Sequence, residues 1–216
     1  SMFYDVENPI LFCKQIENII DQNKGIWILE QSYLPSMVEN NSYDTICHEH
    51  LTYYSLSQIN WVLKKTNLKI IDFDLNDING GSCSVTVAHK NNKKLKINKK
   101  INQIIKSEKK FNNLDIFHRF KKNIEETREN LLIKLQKIRD EDKIIYGIGA
   151  STKGNVILQY CSIDENLLSL IGEVNTEKYG HFTPGTSIPI ISEKKILEKH
   201  SDYLLILPWH FKKFFL

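Results

Sequence analysis

His48, Glu49 and His50 are three consecutive titratable residues whose side chains could transfer a proton at neutral pH. An imidazole has an ordinary pKa of about 6.5, so it can act there as an acid or as a base. The run continues with tyrosines and with Ser55, which is a predicted N-cap of a helix that begins at the next residue. The three residues are therefore predicted in a loop that enters a helix, where polar side chains can converge on a pocket.

The same histidines allow two other interpretations. They could be ordinary solvated loop residues, or they could bind a metal ion as a His-x-His pair. No cysteine or carboxylate pattern elsewhere supplies further ligands, and the zinc-protease signature needs two histidines one helical turn apart. We therefore predict no metal site here, and the residues alone leave the chemistry open.

A second informative stretch, residues 143–155, is an apolar run that ends in a Gly-rich turn and continues as a helix. Such a turn presents backbone N–H groups and the positive end of a helix dipole to a phosphate, and Lys153 adds a full charge. The Gly-Lys-Ser/Thr ending of a P-loop is absent. A dinucleotide-binding fingerprint is also imperfect, because Thr152 stands where a smaller residue is usual. Glu173, however, ends the next apolar run, where a ribose-binding acid would stand.

Composition excludes several classes of protein. The chain has 216 residues, and its 29 basic residues are nearly balanced by 26 acidic ones, which gives a net charge of +3 and does not suggest a nucleic-acid binder. Its four cysteines are widely spaced, which is typical of reduced thiols in a cytoplasmic protein. No apolar run is long enough to cross a membrane, and the start is not a signal peptide.

The first two residues resemble a cloning remnant, so we expect the natural protein to extend upstream.

Periodicity predicts an α/β fold. Helices are predicted at 8–24, 55–66 and 192–199, with one or two more within 101–140. Residues 26–29 are a short apolar run of the kind found in buried parallel strands. Strands at 68–75 and 82–88 flank an Asn-Gly-Gly-Ser turn, whose glycines suit either a plain hairpin or close approach to a ligand. In the last third, strands ending near 148, 173, 191 and 207 alternate with helices, which favours a mostly parallel sheet.

The sequence resembles the S-adenosylmethionine-dependent sugar C-methyltransferases, which methylate carbon 3 of nucleotide-linked 4-keto deoxysugars. The matching stretches occur in the family's order and cover nearly the whole chain: residues 30–34, 43–56, 79–82, 146–155, 178–190 and 204–209. The resemblance implies the second half of a class I methyltransferase Rossmann-like sheet, a helical linker and a second Rossmann-like α/β domain. The corresponding boundaries are residues 1–90, 91–142 and 143–216, with the last domain truncated.

The resemblance also implies a reaction and its residues. A base removes the carbon 3 proton next to the keto group, and the enolate then takes the methyl group. His50 matches the base of the family motif, with Glu49 and His48 orienting it or stabilising charge. The residues implied to bind the nucleotide-sugar are Tyr33, Tyr54, Asn79, Gly149, Ser151, Lys153 and Asn155.

The sequence departs from the commoner family pattern at three places. Cys47 and Asn79 stand where many members have Tyr and His, and residues 173–175 replace a commoner Asp-containing segment. These departures leave the exact sugar undetermined.

The family's zinc-binding domain and its S-adenosylmethionine loop would lie upstream of residue 1. We therefore expect no cofactor-binding residues in this chain and no activity from it alone. Two other classes stay open: an NAD-like nucleotide-binding module or oxidoreductase, and a structural or dimerising domain. The oligomeric state is undetermined, with a homodimer as one candidate.

Overall fold

The computed structural model describes residues 1–211, which form a mixed α/β structure with one antiparallel and one parallel sheet. The chain divides into two compact units. Unit 1 comprises Ser1–Tyr43 and His48–Phe120, and unit 2 comprises Asp44–Cys47 and the residues from 121 onward. The predicted α/β class is confirmed at this level. The domain boundaries at 90 and 142 stay a prediction, and the apolar ending at 214–216 lies outside the described residues.

Unit 1 contains a three-stranded sheet. Its strands are β1 (Ile26–Ser32), β2 (Leu68–Asn76) and β3 (Ser82–His89). Its helices are α1 (Pro9–Ile19), α2 (Leu34–Glu39), α3 (Leu56–Leu63) and α4 (Lys100–Ser107). A further helix, α5 (Leu114–Asp140), starts in unit 1 and continues into unit 2.

The strand order in unit 1 is β1-β3-β2, and β3 is antiparallel to both neighbours. The predicted hairpin of β2 and β3 is therefore confirmed. The prediction of a buried parallel strand at 26–29 is wrong, because β1 lies at the sheet edge, with Ile26 and Ile28 51% and 60% exposed. An apolar run in the sequence shows that a segment is hydrophobic, but it does not indicate which strand pairs with it or in which direction.

Two helices of unit 1, α1 and α3, begin at side-chain capping interactions. Asn8 accepts the backbone N–H of Leu11 at the start of α1, and Ser55 forms a capping box with Gln58 at the start of α3. The first helix ends earlier than predicted, at residue 19. The Asp21 carboxylate accepts two backbone N–H groups of the following turn, which competes with further helix.

The core of unit 1 lies between one face of the sheet and helices α1, α3 and α4. The side chains that share this core include Phe3, Leu29, Tyr54, Leu56, Ile59, Leu63, Phe73, Val85 and Ile101. Complete burial of a large apolar side chain stabilises by about 1.5–3 kcal/mol. This core therefore holds the strand ends and the start of α3 together.

Unit 2 contains a four-stranded parallel sheet with the order β6-β5-β4-β7. Its strands are β4 (Ile145–Ile148), β5 (Ile171–Glu173), β6 (Ile190–Ser192) and β7 (Tyr203–Ile206), and its helices besides α5 are α6 (Thr152–Cys161) and α7 (Glu193–Glu198). The predicted parallel sheet and its alternation with helices are confirmed.

The strand order of unit 2 reverses beside β4. The chain leaves β4 through α6 to reach β5 on one side, whereas β7 pairs with β4 on the other side. In open parallel sheets, ligands bind in the crevice at the carboxyl ends of the strands at such a reversal. Within residues 1–211, no helix is long and apolar enough to cross a membrane.

Candidate functional site

The predicted catalytic residues of unit 1 differ in how they are held. His48 and Glu49 are exposed, with side chains 87% and 59% accessible, and His48 Nε2 lies 3.8 Å from Glu49 Oε1. His50 is half-buried, and its ring packs at a centroid distance of 4.1 Å from Tyr4. His50 is therefore the member of the motif with the best-defined position.

The loop that follows His50 is fixed by backbone hydrogen bonds. Leu51 and Thr52 both donate their N–H groups to the Tyr4 carbonyl at 3.1 Å. Two residues later, the Tyr54 carbonyl accepts the N–H of Leu34 at 2.9 Å. The loop is thus tied to two separate segments before α3 begins.

Tyr33, Tyr54 and Asn79, predicted to bind the sugar, are brought close together at the end of β1. Tyr33 forms a parallel bridge with Tyr54, and its N–H donates to the carbonyl of Gly81, two residues after Asn79. Both tyrosine side chains are buried, and burial raises the pKa of each phenol. Their hydroxyls are therefore neutral donors at physiological pH.

Glu108 is a buried carboxylate that no local sequence pattern singles out. Its oxygens accept the N–H groups of Leu56 at 2.8 Å and Ser57 at 2.7 Å, together with the Tyr33 hydroxyl. A carboxylate at a helix N-terminus satisfies backbone donors that otherwise lack partners. Glu108 therefore joins the end of β1 to the start of α3, and it also lines a cavity of about 360 Å³ with Tyr33.

The glycines of the hairpin turn are explained by packing within unit 1. Gly81 has φ +130°, and a Cβ there would lie 2.6 Å from the Cβ of Ser36 in α2. The Gly80 carbonyl accepts the side-chain amide of Asn40 at 3.0 Å. Asn79 has a φ of 57°, which is unusual for a side-chain-bearing residue. These glycines therefore allow the backbone of the hairpin turn to pack closely against α2.

In unit 2, Gly149 and Ser151 shape the turn between β4 and α6. Gly149 has φ +87°, and a Cβ there would lie 2.6 Å from Pro208 Cδ. Ser151 is the N-cap of α6, where its hydroxyl accepts the N–H of Gly154 at 3.0 Å. Close packing therefore explains the glycine at position 149, and helix capping explains the serine at position 151, independently of any ligand.

Lys153, in the first turn of α6, is half-buried and forms a charged cluster with the buried Asp44. Burial lowers the pKa of Lys153, whereas the charge of Asp44 opposes that shift. Burial raises the pKa of Asp44, and this effect exceeds the opposing influence of Lys153 and of the Trp209 indole N–H, which donates to Asp44 Oδ2 at 3.0 Å. The charge of Lys153 is thus partly balanced by Asp44.

Three side-chain polar atoms of unit 2 are buried without a hydrogen-bond partner among the described residues. One is Arg128 Nε, within α5, and the other two are Asn155 Oδ1, in α6, and His210 Nδ1, just after β7. Burial lowers the pKa of His210, so its imidazole is neutral at pH 7. Buried polar atoms without partners are uncommon and mark places where a water molecule or ligand can bind.

Glu173 is used by its own loop. Its Oε1 accepts the N–H groups of Val174 and Asn175, and its Oε2 lies 3.5 Å from Lys178 Nζ. Lys178 also donates to the Ala150 carbonyl at 2.8 Å. This arrangement gives Glu173 a local structural role in place of the free ribose-binding acid of a dinucleotide site.

Residues 1–211 contain no group of three or more His, Cys, Asp or Glu side chains able to hold a metal ion. The predicted site residues form two groups. His48, Glu49, His50, Tyr33, Tyr54 and Asn79 lie in unit 1, and Gly149, Ser151, Lys153 and Asn155 lie in unit 2.

Comparison with known proteins gives the chain a family. The model of the C-methyltransferase C-terminal domain matches residues 77–216, which include all of β3 and all of unit 2 beyond Asp44–Cys47. The chain belongs to the C-methyltransferase C-terminal domain family. The predicted relationship to the C-methyltransferases is therefore confirmed.

The C-methyltransferase NovU of Streptomyces niveus is 26% identical to this chain over 194 residues. The alignment covers 87% of this chain and 45% of that relative, so the chain spans less than half of the relative's length.

Four residues of the sites are not singled out as site residues by the sequence analysis: Tyr4, Asp44, Glu108 and His210. Asp44 lies within the matching stretch 43–56, four positions before His48, and this position is a local signal. Tyr4 and Glu108 lie 46 or more positions from their partners His50 and Leu56, so local patterns carried no information about them.

Proposed function

We propose that the chain is part of an S-adenosylmethionine-dependent C-methyltransferase acting on carbon 3 of a nucleotide-linked 4-keto deoxysugar. The family match over residues 77–216 carries this proposal. The similarity to C-methyltransferase NovU supports it, and so does the matching order of motifs along the chain. The antiparallel β3 between β1 and β2 supports assigning unit 1 to the second half of a methyltransferase sheet.

His50 is the proposed base. A hydrogen on carbon 3 is acidified because the electron pair left by its removal delocalises into the adjacent keto group as an enolate. An unprotonated ring nitrogen of His50 accepts that proton. Carbon 3 of the enolate would then bond to the methyl carbon of the sulfonium while the methyl–sulfur bond breaks, its electron pair going to sulfur as a neutral thioether leaves. Fixed placement of the imidazole favours this role, since a base must lie within hydrogen-bond reach of the proton.

S-adenosylmethionine, when bound, supplies an electrophilic methyl carbon. The Gly-rich turn of unit 2 does not suit its cationic sulfonium, because Lys153 in the first turn of α6 is itself a cation. We therefore assign no described residue to this cofactor. Its binding loop and a zinc-binding domain are proposed for the upstream part of the whole protein.

The turn between β4 and α6 is the proposed site for the diphosphate of the nucleotide-sugar. Backbone N–H groups at the start of α6 and the charge of Lys153 favour an anion. Asn155 Oδ1 and His210 Nδ1 follow the ends of β4 and β7 and lack a hydrogen-bond partner in the part of the chain that the structure describes, so they could bind a sugar or ribose hydroxyl. The bonds that Glu173 makes to its own loop count against the alternative of an NAD-like site.

The test measures two partial reactions of the whole protein that carries this chain. A thymidine-diphosphate 4-keto deoxysugar is incubated in D₂O to follow deuterium incorporation at carbon 3 by mass spectrometry, and S-adenosylmethionine is then added to follow methyl transfer. His50→Ala is expected to slow both reactions by about 10²–10⁴-fold, the usual contribution of a positioned base. His200→Ala, which removes an exposed histidine, is the matched control and should leave both rates unchanged.

Two results would contradict the proposal. Exchange and methyl transfer that persist at the wild-type rate in His50→Ala would remove His50 from the reaction. Binding of NAD in calorimetry, with no exchange on any nucleotide-linked 4-keto sugar, would favour the oxidoreductase alternative instead.

A further inference from the structure

The aromatic ring of Tyr4 is in direct contact with the imidazole of His50. The two ring centroids are 4.1 Å apart and the ring planes are tilted by 51°. Tyr53 approaches the same imidazole edge-on at 6.3 Å. A half-buried imidazole between two aromatic rings has fewer accessible orientations than one in solvent, and His48 shows the contrast, since its side chain is 87% exposed.

Tyr4 is itself firmly held. It is the middle residue of a 3₁₀ turn, Phe3–Asp5, and its side chain is 8% exposed. The preceding residue, Phe3, is 2% exposed and packs against Trp27 and Tyr54. Because Phe3 is anchored in the core of unit 1, the ring of Tyr4 has a fixed position.

The backbone of Tyr4 contacts the same loop as its ring. Its carbonyl accepts hydrogen bonds from the N–H groups of Leu51 and Thr52, both at 3.1 Å. One residue therefore restrains the His50 side chain through its ring and the backbone immediately after His50 through its carbonyl. A residue that only filled the core would need neither contact.

We propose that Tyr4 is a positioning residue for His50, holding the imidazole in the orientation in which it accepts a proton. The role in proton transfer rests on the proposed function of His50, whereas the positioning itself is a property of unit 1. Orientation matters to the rate because misplacement of a reacting group by about 1 Å can cost roughly 10²-fold. Tyr4 needs no contact with the substrate to act in this way.

The first measurement tests the positioning without any reaction. Nuclear Overhauser contacts between the Tyr4 ring protons and the His50 ring protons are expected in the wild-type chain, together with an upfield ring-current shift of the His50 protons. Tyr4→Phe keeps the ring and should retain that shift, whereas Tyr4→Leu should lose it. Phe12→Leu, which removes a ring packed on Phe3 and Trp27, is the matched control and should leave the His50 signals in place.

The second measurement is the deuterium exchange at carbon 3 in the whole protein. Tyr4→Leu is expected to lower kcat for exchange by roughly 10- to 100-fold with little change in KM. Tyr4→Phe should restore the rate to within about twofold of wild type, because the ring and the backbone carbonyl are both retained. If Tyr4→Leu slowed exchange only because removing an aromatic ring from unit 1 reduces the fraction of folded protein, Phe12→Leu should slow exchange to a similar extent.

The outcomes separate this inference from the proposed function. Absence of the Tyr4–His50 Overhauser contact in wild-type protein overturns the inference even if Tyr4→Leu does not fold. Wild-type exchange that depends on His50 but is unchanged in Tyr4→Leu also overturns it, while leaving the proposed function intact. Wild-type protein that catalyses no exchange overturns the proposed function, and the Overhauser contact then still decides whether Tyr4 positions His50.

Discussion

The loop that carries His50 and the turn that carries Lys153 satisfy their polar groups in different ways. In unit 1, partners from distant segments take up the donors around the loop: Glu108 holds the start of α3, and the Tyr4 carbonyl holds Leu51 and Thr52. In unit 2, the turn is closed by its own serine cap, and two nearby buried atoms, Asn155 Oδ1 and His210 Nδ1, have no hydrogen-bond partner within residues 1–211.

The difference separates two requirements of a site. A catalytic base has to be oriented before the substrate arrives, so the segments around it are held by hydrogen bonds and packing within the chain. A binding turn has to leave hydrogen-bonding capacity for a ligand, so some of its polar atoms lack protein partners. Variants that disturb the contacts of unit 1 should therefore reduce stability, and variants in the charged cluster of unit 2 should mainly change its response to pH or to ligand.

The largest expected effect is that of Glu108→Ala. The variant leaves the buried N–H of Leu56, the partly buried N–H of Ser57 and the Tyr33 hydroxyl without their acceptor, and the loss of an acceptor costs a buried donor about 1–3 kcal/mol. We expect the free energy of unfolding in urea to fall by roughly 4 kcal/mol. Glu39→Ala removes an exposed ion pair with Lys110 and should cost less than about 1 kcal/mol. Equal costs for the two variants would show that the contacts around α3 are not the main support of the loop.

Gly149→Ala should have the next largest effect. The new Cβ would be forced into a positive φ and would lie 2.6 Å from Pro208 Cδ, so we expect a loss of about 2–3 kcal/mol in urea unfolding. Gly180→Ala meets a similar φ of +79° but has nothing within 4 Å, so strain alone should cost about 1 kcal/mol. If both alanine variants cost the same, close packing against Pro208 would not be what requires glycine at 149.

The smallest effect is the pH dependence caused by Asp44. Because burial raises the pKa of Asp44 above 3.8, the native state retains its proton to higher pH than the unfolded state does, so Asp44 lowers stability as pH rises through that window. Asp44→Asn removes this contribution and keeps an oxygen acceptor for Trp209. Its stability relative to wild type should therefore improve as pH rises above about 4 in urea titrations, because the difference builds up between the unfolded pKa and the raised native pKa.

Asp164→Asn is a control of opposite sign. A hydrogen bond from the Asn166 side chain lowers the pKa of Asp164, so its contribution to stability is lost as pH falls. That variant should lose stability relative to wild type as pH rises to about 4, and the gap should then stay constant at higher pH. A constant gap between wild type and Asp44→Asn across the range would contradict the buried position of the Asp44 carboxylate.

Local signals in the sequence predicted much of the secondary structure. The Ser55 cap, the hairpin around the Asn-Gly-Gly turn, and the strand–turn–helix that ends in α6 are all confirmed. Each depends on residues within a few positions of one another, where capping, alternation and turn chemistry act directly. The parallel sheet of unit 2 is confirmed for the same reason, since strands that alternate with short helices have few other ways to pair.

The sequence by itself also determined the motif that contains His50 and the Gly-rich turn that contains Lys153, since both are contiguous in the chain. Only the tertiary structure decided that β1 is an antiparallel edge strand, that Glu108 caps α3, and that Tyr4 packs on His50. These contacts join residues far apart in the chain, and their free energy comes from burial and from satisfying buried donors. That energy depends on which segments meet in the folded protein, and no local pattern records it.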